Sequence, residues 1–300
     1  MRLHDEGFVM FKGSFVALVT PMDQSGAIDF AALTDLVQWH LAEGTDGLVI
    51  LGTTGESATV TFPEREMIIQ HVVKQVDQRV PVIVGTGTHA TASTITLTQH
   101  AAKCGADGVL VVCPYYNKPT QEGLYQHFRQ VAQSVALPVI LYNVPSRAGC
   151  DLLPDTVMRL ADVPNIVALK EAVPGVGRVK ELKLLNCSLG LLSGDDATAK
   201  DFLLSGGVGV ISVAANICPA LMKQLCEAVR NEDRDAADQI DHRMAPWYKL
   251  LFVESNPIPC KWVLHVMQRI QQSIRLPLTP LDERHHSKIQ AQLVEEGLMC

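Results

Sequence analysis

PVILYNVPSRAGCDLLPDTVMRLADVPNIVALKEA, residues 138–172, contains two short apolar runs separated by one helix-length segment, and its second run ends on a lysine. Pro138-Val139-Ile140-Leu141-Tyr142 has the length and β-branched content of a buried strand closing on a phenol. Residues 143–147 read as a loop, 154–160 as a short helix, and Ile166-Val167-Ala168-Leu169-Lys170 as a second buried strand. Parallel strands joined through a helix bring their C-terminal ends to one edge of the sheet, so this spacing sets Tyr142 and Lys170 side by side. That edge is where α/β folds keep their chemistry. A lysine amine attacks a carbonyl only when neutral, and an ordinary lysine of pKa ~10.4 is about one part in a thousand neutral near pH ~7.4. Desolvation of the kind an apolar run supplies raises that fraction. The competing reading is a strand-end ammonium facing solvent.

The same unit of apolar run, loop and amphipathic helix repeats along the chain. The runs cover 15–20, 47–51, 80–84, 108–112, 138–142, 166–170, 189–192 and 208–212, with helical stretches at 29–43, 62–76, 92–105, 120–135, 154–160, 177–185, 197–204 and 219–231. Gly44 and Gly105 stand where helix C-caps belong. Strands that are apolar throughout, rather than alternating, are buried on both faces, and eight regular units favour a closed (β/α)8 TIM barrel over an open doubly wound sheet. The barrel is expected over 10–231. Residues 232–300 carry no strand signal and read as a C-terminal helical region of three helices at 234–253, 256–270 and 282–297, broken by Asn256-Pro257 and Leu276-Pro277. Residues 1–9 lack a signal-peptide core and are expected to be a mobile tail.

Hydrophobic residues make up 47% of the 300 and charged ones 19%, the balance of a globular chain with a large core, and no run approaches the ~18 apolar residues of a membrane span. A net charge of -7 argues against nucleic acid and anionic membranes as partners and leaves small molecules. The 8 cysteines are scattered without a C-x-x-C pair, which predicts reduced thiols, a cytoplasmic location and no zinc.

Four further stretches fall at strand ends. Gly52-Thr53-Thr54-Gly55-Glu56 offers glycines that let a ligand approach the backbone and hydroxyls suited to a small carboxylate; a glycine turn with a capping threonine competes with that reading. Gly85-Thr86-Gly87-Thr88-His89-Ala90 matches a dinucleotide pattern, but the next strand ends Val111-Val112-Cys113 with no acid, so it reads as a tight turn. Pro114-Tyr115-Tyr116-Asn117 sets two phenols on the same face, for proton transfer or for an interface. Ser193-Gly194-Asp195-Asp196 is short of ligands for a metal, and a helix-capping aspartate is expected instead.

Taken together, the Gly52–Glu56 stretch, Tyr116, the Tyr142–Arg147 stretch and Lys170-Glu171-Ala172 resemble the pyruvate-dependent class I aldolases, the family of N-acetylneuraminate lyase. The resemblance runs from Met10 into the C-terminal helices. It implies a (β/α)8 barrel with no metal and no organic cofactor. It also implies that Lys170 forms a Schiff base with pyruvate, and that Tyr142 acts as general acid and base through Thr53 and Tyr116, the latter reaching into a neighbouring subunit. Thr54 would hold the pyruvate carboxylate, with the Ile211 carbonyl and Gly194 in the same pocket, and Arg147 would bind L-aspartate 4-semialdehyde as second substrate. The implied assembly is a homotetramer of tight dimers, working in diaminopimelate and lysine biosynthesis. Sugar-acid lyases of the family typically read Gly-Ser-Thr-Gly-Glu where this chain has Gly-Thr-Thr-Gly-Glu, and lack a match to Arg147, which makes them the second choice. A non-catalytic pyruvate-binding relative is the third. Many relatives are inhibited by L-lysine through a glutamate and two histidines; Ser93, Phe62 and Arg65 occupy those positions here, so little or no inhibition is expected.

Overall fold

The computed structural model describes residues 11–298, so the expected tail at 1–9 and Cys300 lie outside it. Eight strands, all parallel, close into a barrel in sequence order. They are β1 Gly13–Ala17, β2 Gly47–Ile50, β3 Val82–Gly85, β4 Gly108–Val112, β5 Val139–Asn143, β6 Ile166–Glu171, β7 Gly190–Ser193 and β8 Gly209–Ser212. The helices of the barrel are α1 Phe30–Ala42, α2 Phe62–Val76, α3 Thr91–Lys103, α4 Gln121–Gln133, α5 Pro145–Ala148, α6 Pro154–Ala161, α7 Gly177–Leu184, α8 Ala199–Leu204 and α9 Pro219–Arg230. After them come α10 Arg234–Leu250, α11 Ile258–Val266 and α12 His286–Glu295.

Successive strand side chains point to opposite faces, and here each face has its own core. On β4 and β5, Leu110, Ile140 and Tyr142 join Phe15, Ile83, Leu192 and Ile211 inside the barrel. Val109, Val111, Val139 and Leu141 point outward into the larger layer between strands and helices. This two-sided burial is why the strands read as continuous apolar runs. Filling the interior also constrains the backbone: a Cβ at position 47 would lie 2.2 Å from the Phe15 ring, so glycine there makes room for the phenylalanine of the adjacent strand.

The expected elements are all present, with differences where local chemistry intervenes. Asp29 caps α1 by accepting from the Ala32 amide at 3.0 Å, a contact worth ~1 kcal/mol, and Gly44 and Gly105 take positive φ just beyond α1 and α3. Residues 143–147, expected as a loop, instead extend β5 to Asn143 and then form the single turn of α5, started by Pro145 at a first-turn position. The predicted helix at 197–204 is a 3-10 turn at Asp196–Thr198 followed by α8. The predicted 256–270 helix is confined to α11, and that at 282–297 to a 3-10 turn at Glu283–His285 followed by α12. No helix among the described residues is long and apolar enough to cross a membrane.

Candidate active site

β5 and β6 pair in the register Tyr142↔Lys170 and Asn143↔Glu171, so the phenol and the amine leave adjacent strands at the same level. Both point into the barrel. Lys170 is 6% exposed and Tyr142 7%, and the lysine Nζ lies 4.3 Å from the centroid of the tyrosine ring. Gly194, one residue past β7, lies against this lysine: a Cβ there would meet Lys170 Cε at 2.8 Å and Ala172 Cβ at 3.0 Å. Its missing side chain is the space through which the lysine runs. Ile211 is buried on β8 opposite Phe15 in the same inner cluster.

The next residue on each strand faces outward, and there the structure holds a network that sequence reasoning missed. Asn143 Nδ2 donates to both Glu171 oxygens at 3.1 Å and to Asp151 at 2.7 Å, while Arg178 donates to Asp151 at 2.7 Å. The Val173 amide donates to Glu171 at 2.8 Å. Burial pushes the Glu171 carboxyl above its ordinary value, against these hydrogen bonds, which favour the charged form. Because Asn143 and Glu171 directly follow Tyr142 and Lys170, fixing one pair fixes the other. The signal in the sequence is that two polar residues end otherwise apolar strands.

The loop after β2 forms the second part of the site. Thr54 is buried, and its hydroxyl accepts from Asn256 Nδ2 at 2.9 Å. Glu56 adopts φ 54° and is buried with Lys261 of α11, Oε1 to Nζ 2.5 Å, while its Oε2 accepts from the Arg275 amide at 3.1 Å. The Asn256 carbonyl in turn accepts from Arg147 at 3.2 Å. The C-terminal region thus packs α10 against α9 on the side of the barrel and, through Asn256 and Lys261, also reaches the loop after β2 and holds it. In the sequence Asn256 reads only as part of a helix-breaking Asn-Pro pair, and neither it nor Lys261 points to the loop after β2. The available clue is Lys261 itself, a lone cation in the apolar Ile258–Val266 stretch that calls for a buried acid.

A cavity of ≈ 500 Å³ opens here, lined among others by Thr53, Tyr115, Tyr116, Val144, Arg147 and Asn256. Tyr142 lies on β5 two residues before Val144, which caps α5 just past the strand's end. Arg147 is exposed on α5, at the rim. Tyr116 is 92% exposed with φ 77°, so within one chain its ring is directed to solvent and the Tyr142, Thr53 and Tyr116 set is not closed. Gly85 ends β3 and Gly87 follows it in irregular backbone; a Cβ on Gly85 would meet the Leu51 carbonyl at 2.2 Å and one on Gly87 the Val112 amide nitrogen at 2.4 Å, so both glycines serve close backbone packing. Asp196 is a cap, though not of its own helix: its Oδ2 accepts from the amides of Val213 and Ala214 at 3.0 and 2.8 Å, at the start of the 3-10 turn after β8.

The profile of the Dihydrodipicolinate synthetase family matches residues 10–296. The chain belongs to that family. Among relatives of this synthetase family, the 4-hydroxy-tetrahydrodipicolinate synthase of Coxiella burnetii (strain Dugway 5J108-111) is 54% identical over 291 residues, covering 97% of this chain and 100% of that one. That of Pseudomonas aeruginosa PAO1 is 50% identical over 292 residues, with 97% and 100% coverage. Among solved structures, the chloride-inhibited dihydrodipicolinate synthase from Acinetobacter baumannii complexed with pyruvate superimposes with a TM-score of 0.94 at 46% identity, covering 96% of this chain and 99% of that one.

Proposed function

We infer that this chain condenses pyruvate with L-aspartate 4-semialdehyde through an imine on Lys170, giving 4-hydroxy-tetrahydrodipicolinate for diaminopimelate and lysine biosynthesis. The observation that carries the reading is the buried Lys170 amine beside the Tyr142 ring at the strand-end face of the barrel. The amine adds to the pyruvate carbonyl and water leaves, which needs a proton delivered to the departing oxygen; Tyr142 is the hydroxyl placed to deliver it. Loss of a methyl proton turns the imine into an enamine. Its methylene carbon bonds to the aldehyde carbon, the resulting alkoxide takes up a proton, and the substrate amine then attacks the imine carbon and displaces Lys170. Thr54, its hydroxyl oriented by Asn256, is suited to the pyruvate carboxylate, and the Ile211 carbonyl and Gly194 are proposed to line the same pocket. Thr53, which lines the cavity, is the hydroxyl proposed to relay protons for Tyr142. Supplying both substrates to the purified protein and following formation of the cyclic product tests the whole reading; turnover with N-acetylneuraminate instead would move the chain to the sugar-acid branch. Cytoplasmic location and a division into a barrel at 10–231 and a helical region at 232–300 belong to the same proposal.

Arg147 is the cation at the cavity rim that suits the second substrate's carboxylate. Arg147→Ala is expected to leave imine formation with pyruvate nearly intact and to reduce turnover with the aldehyde by about 100-fold, the loss of one charged bidentate contact. Equal loss of imine formation and turnover would assign Arg147 to holding Asn256 alone.

Tyr116 supports an assembly. A phenol held at positive φ and almost wholly exposed at the cavity edge is not packed into its own chain, and in a second copy it would complete the relay. The unit is then at least a dimer, and a homotetramer of two tight dimers fits the family. Mixed oligomers of Lys170→Ala and Tyr116→Phe subunits, each inactive alone, are expected to recover activity because one site in a hybrid dimer receives both intact residues. Confirmed subunit exchange without recovery would refute the sharing.

L-lysine is expected to inhibit weakly or not at all. Arg65 is buried, its guanidinium donating to the carbonyls of Ser57 and Gly85, and burial lowers its pKa to about 10. Phe62 packs on the His100 ring, and Ser93 is exposed without a carboxylate to offer an ammonium. Losing such a charged partner costs about ten- to a hundredfold in affinity. Half-inhibition below the millimolar range at saturating pyruvate would contradict this.

A further inference from the structure

Outside the barrel, away from the strand ends, three different metal-binding side chains converge. Glu66 lies on α2, and His100 and Cys104 lie four residues apart on one face at the end of α3. One donor atom of each falls within 4.8 Å of the other two. We propose that Glu66, His100 and Cys104 form a Zn2+ site whose fourth position is filled by solvent.

The two distances to His100 are those a tetrahedral ion imposes. With Zn–S of about 2.3 Å and Zn–N or Zn–O of about 2.0–2.2 Å, neighbouring donors sit roughly 3.4–3.6 Å apart. Here Cys104 Sγ is 3.6 Å from His100 Nε2, and His100 Nε2 is 3.7 Å from Glu66 Oε2. The third separation, Cys104 to Glu66, lies within 4.8 Å. The surroundings hold the donors in place: Gln70 donates to Glu66 Oε1 at 3.3 Å, leaving Oε2 for the cluster, and the Phe62 ring lies on the His100 ring with centroids 4.4 Å apart.

The donor chemistry selects the ion. A thiolate, an imidazole and a carboxylate make a borderline-soft set that suits Zn2+ and is poor for Mg2+ or Ca2+. Thiolate and carboxylate together neutralise the two positive charges, and the thiol proton passes to solvent on binding. Glu66 is exposed and the other two are partly buried, so the ion enters from water. Bound there, it ties α2 to α3. The cysteine count and spacing hid this site because its ligands come from two helices and follow no finger or ribbon pattern.

Co2+ substitution tests the proposal on the intact, chelator-treated protein. One equivalent of Co2+ per chain is expected to produce the intense visible bands of tetrahedral cobalt together with a near-ultraviolet thiolate charge-transfer band, both abolished by added Zn2+. Cys104→Ser removes the charge-transfer band, and His100→Gln weakens Zn2+ binding by at least ~100-fold, more than the loss of an outer hydrogen bond to a ligand. Formation of the pyruvate imine, which uses none of these residues, reports that both variants are folded. Absence of the bands, or their persistence in Cys104→Ser, overturns the assignment.

Discussion

Borohydride added together with pyruvate leaves a stable adduct on Lys170, of the mass of pyruvate joined through a reduced imine, and Lys170→Ala abolishes both the adduct and turnover. Reduction traps the bond in place, so the site of modification reads out the nucleophile directly. Lys170 is buried at 6% exposure among apolar residues of the barrel interior, with the Tyr142 ring 4.3 Å from its amine. Covalent catalysis has no substitute in a variant without the amine, and the loss is expected to reach several orders of magnitude, whereas Tyr142→Phe should slow trapping without moving it. Peptide mapping after digestion decides the matter: an adduct on Lys261, or on any surface lysine, would remove the foundation of the proposed mechanism.

Lys261→Ala is expected to be the most damaging substitution outside the reacting groups. Glu56 and Lys261 are 5% and 4% exposed, and they meet at 2.5 Å. Removing the lysine leaves a buried carboxylate with only the Arg275 amide, a loss of about 3–5 kcal/mol that would lower Tm by roughly 10 °C. Because Glu56 follows Thr53 and Thr54 in the loop between β2 and α2, pyruvate binding is expected to weaken too. The double variant Glu56→Gln, Lys261→Met removes both charges together and is expected to recover much of the lost Tm. A change of less than about 2 °C in the single variant would mean that the pair contributes little.

Much of this molecule could be read from its residues before any coordinates, for identifiable physical reasons. Strands buried on two faces announce themselves as short apolar runs, so the eight units, their order and the closed barrel followed. The pairing of Tyr142 with Lys170 followed from two strands ending level with one another, a local matter of strand length. What escaped was of two kinds. The single turn of α5 is too short for any periodicity, and only Pro145 hints at it. The contacts of Asn256 with Thr54 and Lys261 with Glu56 join positions 202 and 205 residues apart, and no periodicity or spacing links residues so distant in the chain. Glu171 was quoted as part of a motif but its outward network with Asn143, Asp151 and Arg178 could not be drawn, since Asp151 and Arg178 meet only once α5, α6 and β6 have folded.

Those long separations also bear on the order in which the enzyme comes into being. Lysine, tyrosine and the threonine loop all leave the ribosome well before Asn256 and Lys261, and at about 5–20 residues per second the loop waits roughly 10–40 s for the side chains that hold it. In the later part of that interval Tyr142 and Lys170 are also made, while the loop carrying Thr53 and Thr54 is still free to sample other conformations, with Glu56 in reach of water. On the proposed mechanism competence is conferred late, by the last fifth of the polypeptide, and a chain released before Asn256 by a premature stop is expected to carry Lys170, Tyr142 and the threonine loop and still be inert.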